Sequence, residues 1–282
     1  MNDKMKPPMK HQTNWLNVFA NCGNNVKTHI RPLLKTLKEP QPDLGLGAGG
    51  DPMKFVDLAA EKAIIEVLQQ HNLSFTLVSE ESGIKEFGTT PSECYVTVDP
   101  IDGTTNLVRG LPFYCTSIAV SSKPTSSAVF AASVTDLVHD ISYTAFEGKG
   151  AFRDDKKILP SAVTSLTEAV IGLDLNTYKV KTVAPQLSDL IQGTKHIRHF
   201  GANALELCYV ADGLTDAFVD IRGKLRTTDV AAGFFILKEA GGIFTSPEGI
   251  SIDVKMDPKQ TLKFVASGNS EIHEKILRLI KL

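Results

Sequence analysis

Apolar and polar residues follow each other along this chain with two different periods. Spacing near 3.6 residues, typical of helices with one buried face, predicts helices over 14–37, 56–71, 185–191, 202–211, 229–240 and 271–282. Short apolar runs predict strands at 75–79, 94–98, 170–175, 216–220 and 264–266, with several more between 114 and 152. Pro40 and Pro42 are expected to end the first helix, and Pro185 to open the third. Strands and helices in mixed order indicate an α/β (α+β) fold.

Composition narrows the range of partners. The chain has 282 residues, of which 42% are hydrophobic and 22% charged, so it can form a normal globular core. A net charge of −2 and the lack of a long Lys/Arg run argue against nucleic-acid binding. No apolar run approaches the ~20 residues of a membrane span, and the first ten residues lack the apolar core of a signal peptide. We therefore expect a cytoplasmic protein without a membrane partner.

Cysteine and histidine spacings do not indicate zinc. Cys22, Cys94, Cys115 and Cys208 are scattered in mostly apolar surroundings and form no CxxC pair. The seven histidines show no HxH or HExxH spacing. The cysteines are therefore predicted to be buried free thiols.

The segment VTVDPIDGTTN, residues 96–106, carries the most chemistry. An apolar strand leads to Asp99, Pro100 is expected to stop the strand ladder, and Gly103 permits a sharp turn. Thr104 could then open a short helix. Two carboxylates three residues apart would lie on a stiff loop, beside backbone N–H groups that suit a phosphate.

Close carboxylates repel each other, and a divalent cation removes that penalty. Oxygen-only ligands favour Mg²⁺ or Mn²⁺ over Zn²⁺. Taken alone, the segment also fits an Asp-Pro turn followed by a helix cap. Four further acids add to the metal hypothesis, although each has an ordinary structural explanation as a strand end or a helix cap. These acids are Asp57, Glu80, Glu81 and Asp229.

Four motifs in order resemble the inositol monophosphatase superfamily, and the stretch 200–229 looks most like its archaeal-type bifunctional branch. These motifs are FVDLAAE, SEESG, VDPIDGTTN and TTDVAAGFFILKEAGG. The resemblance implies a layered α-β-α-β-α sandwich, usually dimeric. It also implies a Mg²⁺-dependent phosphatase acting on fructose 1,6-bisphosphate, inositol monophosphate or both. Two or three Mg²⁺ ions, replaceable by Mn²⁺, would support in-line attack by an activated water.

Site roles follow from the resemblance by position. It implies that the metal ligands are Glu80, Asp99, Asp102, Asp229 and the Ile101 carbonyl. The groups that activate water would be Thr104, Glu80 and Asp57, with Glu81 supporting them. The substrate contacts would be Gly103, Thr104, Thr105, Gly201, Ala202, Asn203 and Asp220. In the loop before Asp57, where the family carries Asp and Thr, Asp51 is the only acid.

The RGKLR stretch has two open interpretations. Arg222, Lys224 and Arg226 lie between the sugar-contact acid and the last metal ligand. They could hold the second phosphate of a bisphosphate substrate, or they could form a solvated basic loop.

The order of the predicted strands and helices also indicates how the chain divides. A division near 160–167 would give an N-terminal α+β half with metal-binding motifs, residues 1–163, and a C-terminal α/β half that completes the active site, residues 164–282.

Three other functions have some support in the sequence. Gly45, Gly47 and Gly50 match GxGxxG, but a dinucleotide site needs a strand before the glycines and a helix after them, and EPQPDL and Asp51-Pro52 stand there instead. A non-catalytic metal-binding protein would not need Thr104. A 3′(2′),5′-bisphosphate nucleotidase of the same superfamily remains an alternative, although Thr-Thr-Asn after Asp-Gly is more typical of the sugar-phosphate branches.

Overall fold

The computed structural model describes residues 13–37, 44–175 and 180–281. Within these ranges the helices are α1 (Trp15–Ile30), α2 (Phe55–Gln70), α3 (Thr104–Arg109), α4 (Val180–Gly193), α5 (Asn203–Ala211), α6 (Thr227–Ala240) and α7 (Ser270–Leu279). The first eight strands are β1 (Phe75–Ser79), β2 (Gly83–Phe87), β3 (Tyr95–Asp102), β4 (Cys115–Ser121), β5 (Val129–Asp136), β6 (Ser142–Phe146), β7 (Gly150–Arg153) and β8 (Lys156–Lys157). The remaining strands are β9 (Val170–Leu173), β10 (His196–Arg198), β11 (Ala217–Asp220), β12 (Ile243–Thr245) and β13 (Phe264–Ser267).

Two sheets form the frame. The larger has eight strands in the order β2-β1-β3-β4-β5-β6-β7-β8, and the smaller has five in the order β10-β9-β11-β13-β12. Most neighbours in the larger sheet are antiparallel, but β1 and β3 run parallel. The carboxyl ends of β1 and β3 therefore meet at one edge of the sheet.

Alternation of side chains along each strand produces five layers. Leu77 packs with α1 and α2 on one face of the large sheet, and Val78 packs with α5 and α6 on the other. In the small sheet, Phe218 joins the α5 and α6 layer, whereas Val219 packs against α4 and α7. The expected α-β-α-β-α sandwich is confirmed, with α5 and α6 as its middle layer.

Close packing of α5 against α6 places two chain segments at the same cleft. A Cβ at Gly233 of α6 would lie 2.7 Å from the Leu207 Cβ and 3.2 Å from the Ala204 carbonyl oxygen. Only glycine fits such an approach without displacing α5. The first turns of the two helices carry Asn203 and Asp229, and both residues line the cleft described below.

Prolines produce the main differences from the predicted elements. The first helix ends at Ile30 rather than residue 37, because Pro32 cannot continue its hydrogen-bond ladder and a 3₁₀ turn, Leu33–Lys35, follows. Pro40 and Pro42 lie outside the described residues. Pro185 lies inside α4 instead of opening it. β3 continues past Pro100 to Asp102, and its register against β4 shifts between Asp99 and Asp102.

Four short strands were not predicted: β2, β8, β10 and β12. Each lies at an edge of its sheet, and none is buried along its whole length. Each is either interrupted by charged residues or only two to three residues long, so a search for longer apolar runs passes over it.

Other predictions concern the thiols, the membrane and the division of the chain. All four cysteines are buried and free, as expected. No helix among the described residues combines the length and apolarity needed to cross a bilayer. The division at residue 163 falls between the two sheets, and a domain boundary there stays a prediction.

Candidate active site

The end of β1 and the middle of β3 bring two acids side by side. Ser79, the last residue of β1, is paired with Val98 of β3. Glu80 and Asp99 directly follow these partners, so the parallel pairing places them at the same level of the sheet edge.

A tight turn after β3 aims the next segment into the cleft. Gly103 has φ of 89°, in the left-handed region. A Cβ there would lie 3.0 Å from both the Ala202 Cβ and the Phe113 carbonyl oxygen. Glycine therefore meets both a conformational and a steric requirement before α3 begins at Thr104.

Three carboxylates from distant parts of the chain converge at this edge. Glu80, Asp99 and Asp229 each offer an oxygen, and these oxygens lie within 4.8 Å of one another. We call these three residues the carboxylate cluster. Asp229 reaches it from the first turn of α6, where its Oδ2 also accepts a hydrogen bond from the Arg226 N–H at 2.9 Å.

Asp102 lies in the same cleft but is partly engaged elsewhere. Its Oδ2 accepts a hydrogen bond from the Ala204 N–H at 2.6 Å and one from the Cys115 thiol at 3.6 Å. Burial raises the pKa of Asp102 to about 7 even though these donors lower it. Asp102 nevertheless lines the cleft together with Asp99 and Asp229.

The electrostatics of the cluster fit a divalent cation. Burial, and then the charges of Glu80, Asp102 and Asp229, raise the pKa of Asp99 well above its usual value. Burial and Asp229 do the same to the pKa of Glu80. Several buried carboxylates that repel one another are compensated by a hard cation, and an all-oxygen donor set favours Mg²⁺ or Mn²⁺.

Stability of the chain in EDTA is expected to fall as pH rises from about 5 to 8. In the folded chain burial raises the pKa to about 6 for Asp57, about 7 for Asp102 and about 8 for Glu81, whereas unfolded carboxyls titrate near 4. The folded state therefore binds more protons than the unfolded state across this window, and raising the pH removes that advantage. Thermal unfolding should show Tm falling by about 5 °C between pH 5.5 and 8 in EDTA, with most of the loss restored by Mg²⁺ at pH 8. A Tm in EDTA that stays constant or rises with pH would contradict the account in which buried carboxylates destabilise the metal-free chain.

Thr104 and Asp57 form a hydrogen-bonded pair in the same cleft. The Thr104 hydroxyl lies 3.1 Å from Asp57 Oδ1 and 2.8 Å from the Ile101 carbonyl oxygen, so it can donate to either acceptor. Asp57, in the first turn of α2, is buried. Burial raises its pKa, and the Thr104 hydroxyl and Lys54 partly counter that effect. A hydroxyl that donates to a carboxylate turns its lone pairs towards a water in the cleft.

Most predicted site residues line one cleft of about 500 Å³. Those present are Asp57, Glu80, Asp99, Ile101, Asp102, Gly103, Thr104, Thr105, Gly201, Asn203, Arg222, Arg226 and Asp229. Ala202 and Asp220 are not among the lining residues. Ala202 is buried beneath Gly103, and Asp220 is fully buried and accepts hydrogen bonds from Arg222.

Two of the three basic residues in RGKLR are held by acids rather than solvated. Arg222 is 1% exposed and forms ion pairs with Asp174 and Asp220. Arg226 forms ion pairs with acids of the carboxylate cluster. The solvated-loop interpretation is therefore wrong for both arginines. Lys224 is exposed and lines the cleft.

Sequence reasoning missed several lining residues. Asp174 follows directly after β9, so the strand-end position that identified Asp99 could also have identified it. His199, whose Nδ1 lies 3.7 Å from Asp174 Oδ1, has no such local signal because it lies in an irregular segment before α5. Lys54 precedes α2 and also lines the cleft.

Comparison with known proteins places this geometry in a family. The model of the inositol monophosphatase family matches residues 17–281. A fructose-1,6-bisphosphatase/inositol-1-monophosphatase of Methanothermobacter thermautotrophicus is 34% identical over 277 residues, covering 95% of this chain and 97% of that protein. A bifunctional NADP phosphatase/NAD kinase of Methanococcus maripaludis is 30% identical over 283 residues, covering 93% of this chain and 48% of that protein. A solved inositol monophosphatase-fructose 1,6 bisphosphatase superposes with a TM-score of 0.84 at 27% identity, covering 95% of this chain and 100% of that one. This chain belongs to the inositol monophosphatase family.

Proposed function

We propose that this chain is a Mg²⁺-dependent phosphomonoesterase acting on fructose 1,6-bisphosphate, inositol monophosphate or both. The observation that carries the proposal is the convergence of Glu80, Asp99 and Asp229 within 4.8 Å, inside a cleft that also holds the Thr104–Asp57 pair. Names of the relatives support the substrate class. When bound, Mg²⁺ supplies charge neutralisation for the phosphate and a more acidic water.

The carboxylate cluster, Asp102 and the Ile101 carbonyl would hold two or three Mg²⁺ ions, and Mn²⁺ would substitute. The family resemblance implies that Glu80 also takes part in activating water. Asp57 and Thr104 orient the attacking water. Because the pKa of Asp57 is about 6, its carboxylate is mainly ionised at neutral pH and can accept the Thr104 hydroxyl proton in a hydrogen bond. No covalent protein nucleophile is required, because phosphoryl transfer depends mainly on positioning and charge neutralisation.

The first turn of α3 would hold the phosphate. Gly103, Thr104 and Thr105 line the cleft beside the carboxylates. The first N–H groups of a helix have no partners within that helix, so they are free to donate to phosphate oxygens.

Other residues that line the cleft suit a sugar or cyclitol and a second anionic group. Gly201, Asn203 and Asp174 line it and offer polar groups for hydroxyls. The Arg222 charge is already balanced by acids. Lys224 forms no ion pair with the part of the chain that the structure describes, so we assign the second phosphate of a bisphosphate to Lys224.

Lys224→Met is expected to raise KM for fructose 1,6-bisphosphate about tenfold, through the loss of one charge-assisted contact. KM for inositol 1-phosphate, which has no second phosphate, should change less than about twofold. Initial rates of phosphate release over a range of substrate concentrations measure both. Lys149→Met, at an exposed turn, is the matched control. Equal losses for both substrates would contradict the assignment.

A substrate panel tests the proposed function. Phosphate release should be measured from fructose 1,6-bisphosphate, inositol 1-phosphate, adenosine 3′,5′-bisphosphate and NADP, in Mg²⁺ and in EDTA. The NADP arm is included because one relative is named as an NADP phosphatase. We expect turnover of one or both of the first two substrates only in Mg²⁺. Turnover of the nucleotides alone would reassign the substrate, and no Mg²⁺-dependent turnover of any of them would contradict the proposal.

Proposals on assembly and cellular location rest on the family resemblance and on the sequence. We propose that the chain forms a homodimer and works in the cytoplasm. Size-exclusion chromatography with light scattering checks the first proposal, and cell fractionation checks the second.

A further inference from the structure

Arg226 connects the carboxylate cluster to the glycine-rich loop, which we define as residues 44–52. Its Nη2 donates to Glu80 Oε1 at 2.6 Å. Its Nη1 donates at 3.0 Å both to the Gly49 carbonyl and to Asp51 Oδ2. The side chain is 12% exposed. One guanidinium therefore holds a cluster carboxylate on one side and the loop on the other.

The loop lies directly over the start of the acidic SEES segment. The Ala48 N–H donates to the Glu81 carbonyl at 2.9 Å, and the Gly49 N–H donates to the Glu80 carbonyl at 2.8 Å. A Cβ at residue 49 would collide with Arg226 Nη1. Glycine at this position is thus what allows the guanidinium to reach the loop backbone.

The partners of Arg226 fall into two groups, those that belong to the carboxylate cluster and those that do not. Glu80 and Asp229 belong to the carboxylate cluster, whereas Asp51 and the Gly49 carbonyl do not. Arg226 Nε lies 3.4 Å from Asp229 Oδ1, and it makes no hydrogen bond to the described residues. A divalent cation in the cluster would use the same Glu80 and Asp229 oxygens and would repel the guanidinium.

We propose that Arg226 is a positioning residue that competes with a divalent cation for Glu80 and Asp229. While the guanidinium holds these carboxylates, its contacts with the Gly49 carbonyl and Asp51 keep the glycine-rich loop next to the carboxylate cluster. When a cation holds them, the loop is released. The inference rests on the proposed metal site and adds a coupling between cation binding and the order of the loop.

Hydrogen exchange measured by mass spectrometry on peptides covering residues 44–52 tests the coupling. In the wild-type chain, Mg²⁺ should speed exchange at least about threefold, because the loop loses one of its attachments. Arg226→Met should exchange fast in EDTA and respond little to Mg²⁺. Gly49→Ala keeps the charge but displaces the guanidinium, so it should also exchange fast in EDTA. Arg278→Met, on an exposed face of α7, is the control and should match the wild type.

Calorimetric titration with Mg²⁺ gives the second readout, which does not depend on activity. Arg226→Met should bind Mg²⁺ at least about threefold more tightly than the wild type, because a competing cation has been removed. Equal or weaker binding by Arg226→Met, or wild-type loop exchange that ignores Mg²⁺, would overturn this proposal alone if the wild type still hydrolyses its substrate. A wild-type chain that binds no Mg²⁺ would overturn the proposed function as well.

Discussion

Asp99→Asn is expected to lower kcat by at least about 1,000-fold while the fold remains intact, since charge stabilisation is usually the largest catalytic contribution. Asp99 belongs to the carboxylate cluster and lies on a buried strand, and burial together with three neighbouring acids raises its pKa. Asn is nearly isosteric but carries no charge, so one oxygen ligand is weakened and repulsion within the cluster falls. Thermal unfolding in EDTA should therefore give a Tm no lower than that of the wild type.

Asp155→Asn is the matched control for this substitution. Asp155 is exposed on a turn with φ of 64°, a conformation that Asn tolerates well. Wild-type kcat is expected for Asp155→Asn. If Asp99→Asn retained wild-type turnover, or if its loss of turnover came with a large fall in Tm, the metal role of Asp99 would not stand.

Thr104→Ala is expected to lower kcat about 100-fold, a typical loss for a removed proton-transfer or water-orienting group. Its hydroxyl is the only described link between the start of α3 and Asp57. The Thr104 side chain is not part of the carboxylate cluster, so Mg²⁺ affinity and Tm should stay close to wild type. Steady-state rates and calorimetric titration with Mg²⁺ measure the two quantities separately.

Thr104→Ser separates the hydroxyl from the methyl group. Serine keeps the donor to Asp57 and to the Ile101 carbonyl. We expect it to retain most of the wild-type kcat. If the kcat of Thr104→Ser were as low as that of Thr104→Ala, packing of the methyl group rather than water orientation would explain the loss.

Much of the site could be predicted because its acids follow predicted strands or begin predicted helices. Glu80 directly follows an apolar strand, and Asp99 directly follows the apolar run 94–98, which predicts another strand. Asp229 occupies a helix start, which apolar periodicity identifies. Local pattern finds these positions because strand ends and helix starts are set by neighbouring residues.

What escaped prediction depends on contacts between distant segments. Arg226 contacts Glu80 across 146 positions and Asp51 across 175, and no local pattern encodes either pairing. Arg222 was predicted either to hold a second phosphate or to lie in a solvated loop, yet Asp174 and Asp220 stabilise it in the interior. Pro185 was expected to open a helix by local preference, but tertiary packing of Val183 and Leu187 on the small sheet extends α4 around it.

The most direct test of the account is a crystal structure of the chain soaked in Mn²⁺, with anomalous difference density. The account predicts a peak within about 2.5 Å of carboxylate oxygens from Glu80, Asp99 and Asp229. Peaks confined to other surfaces, with no density among these three side chains at saturating Mn²⁺, would contradict it.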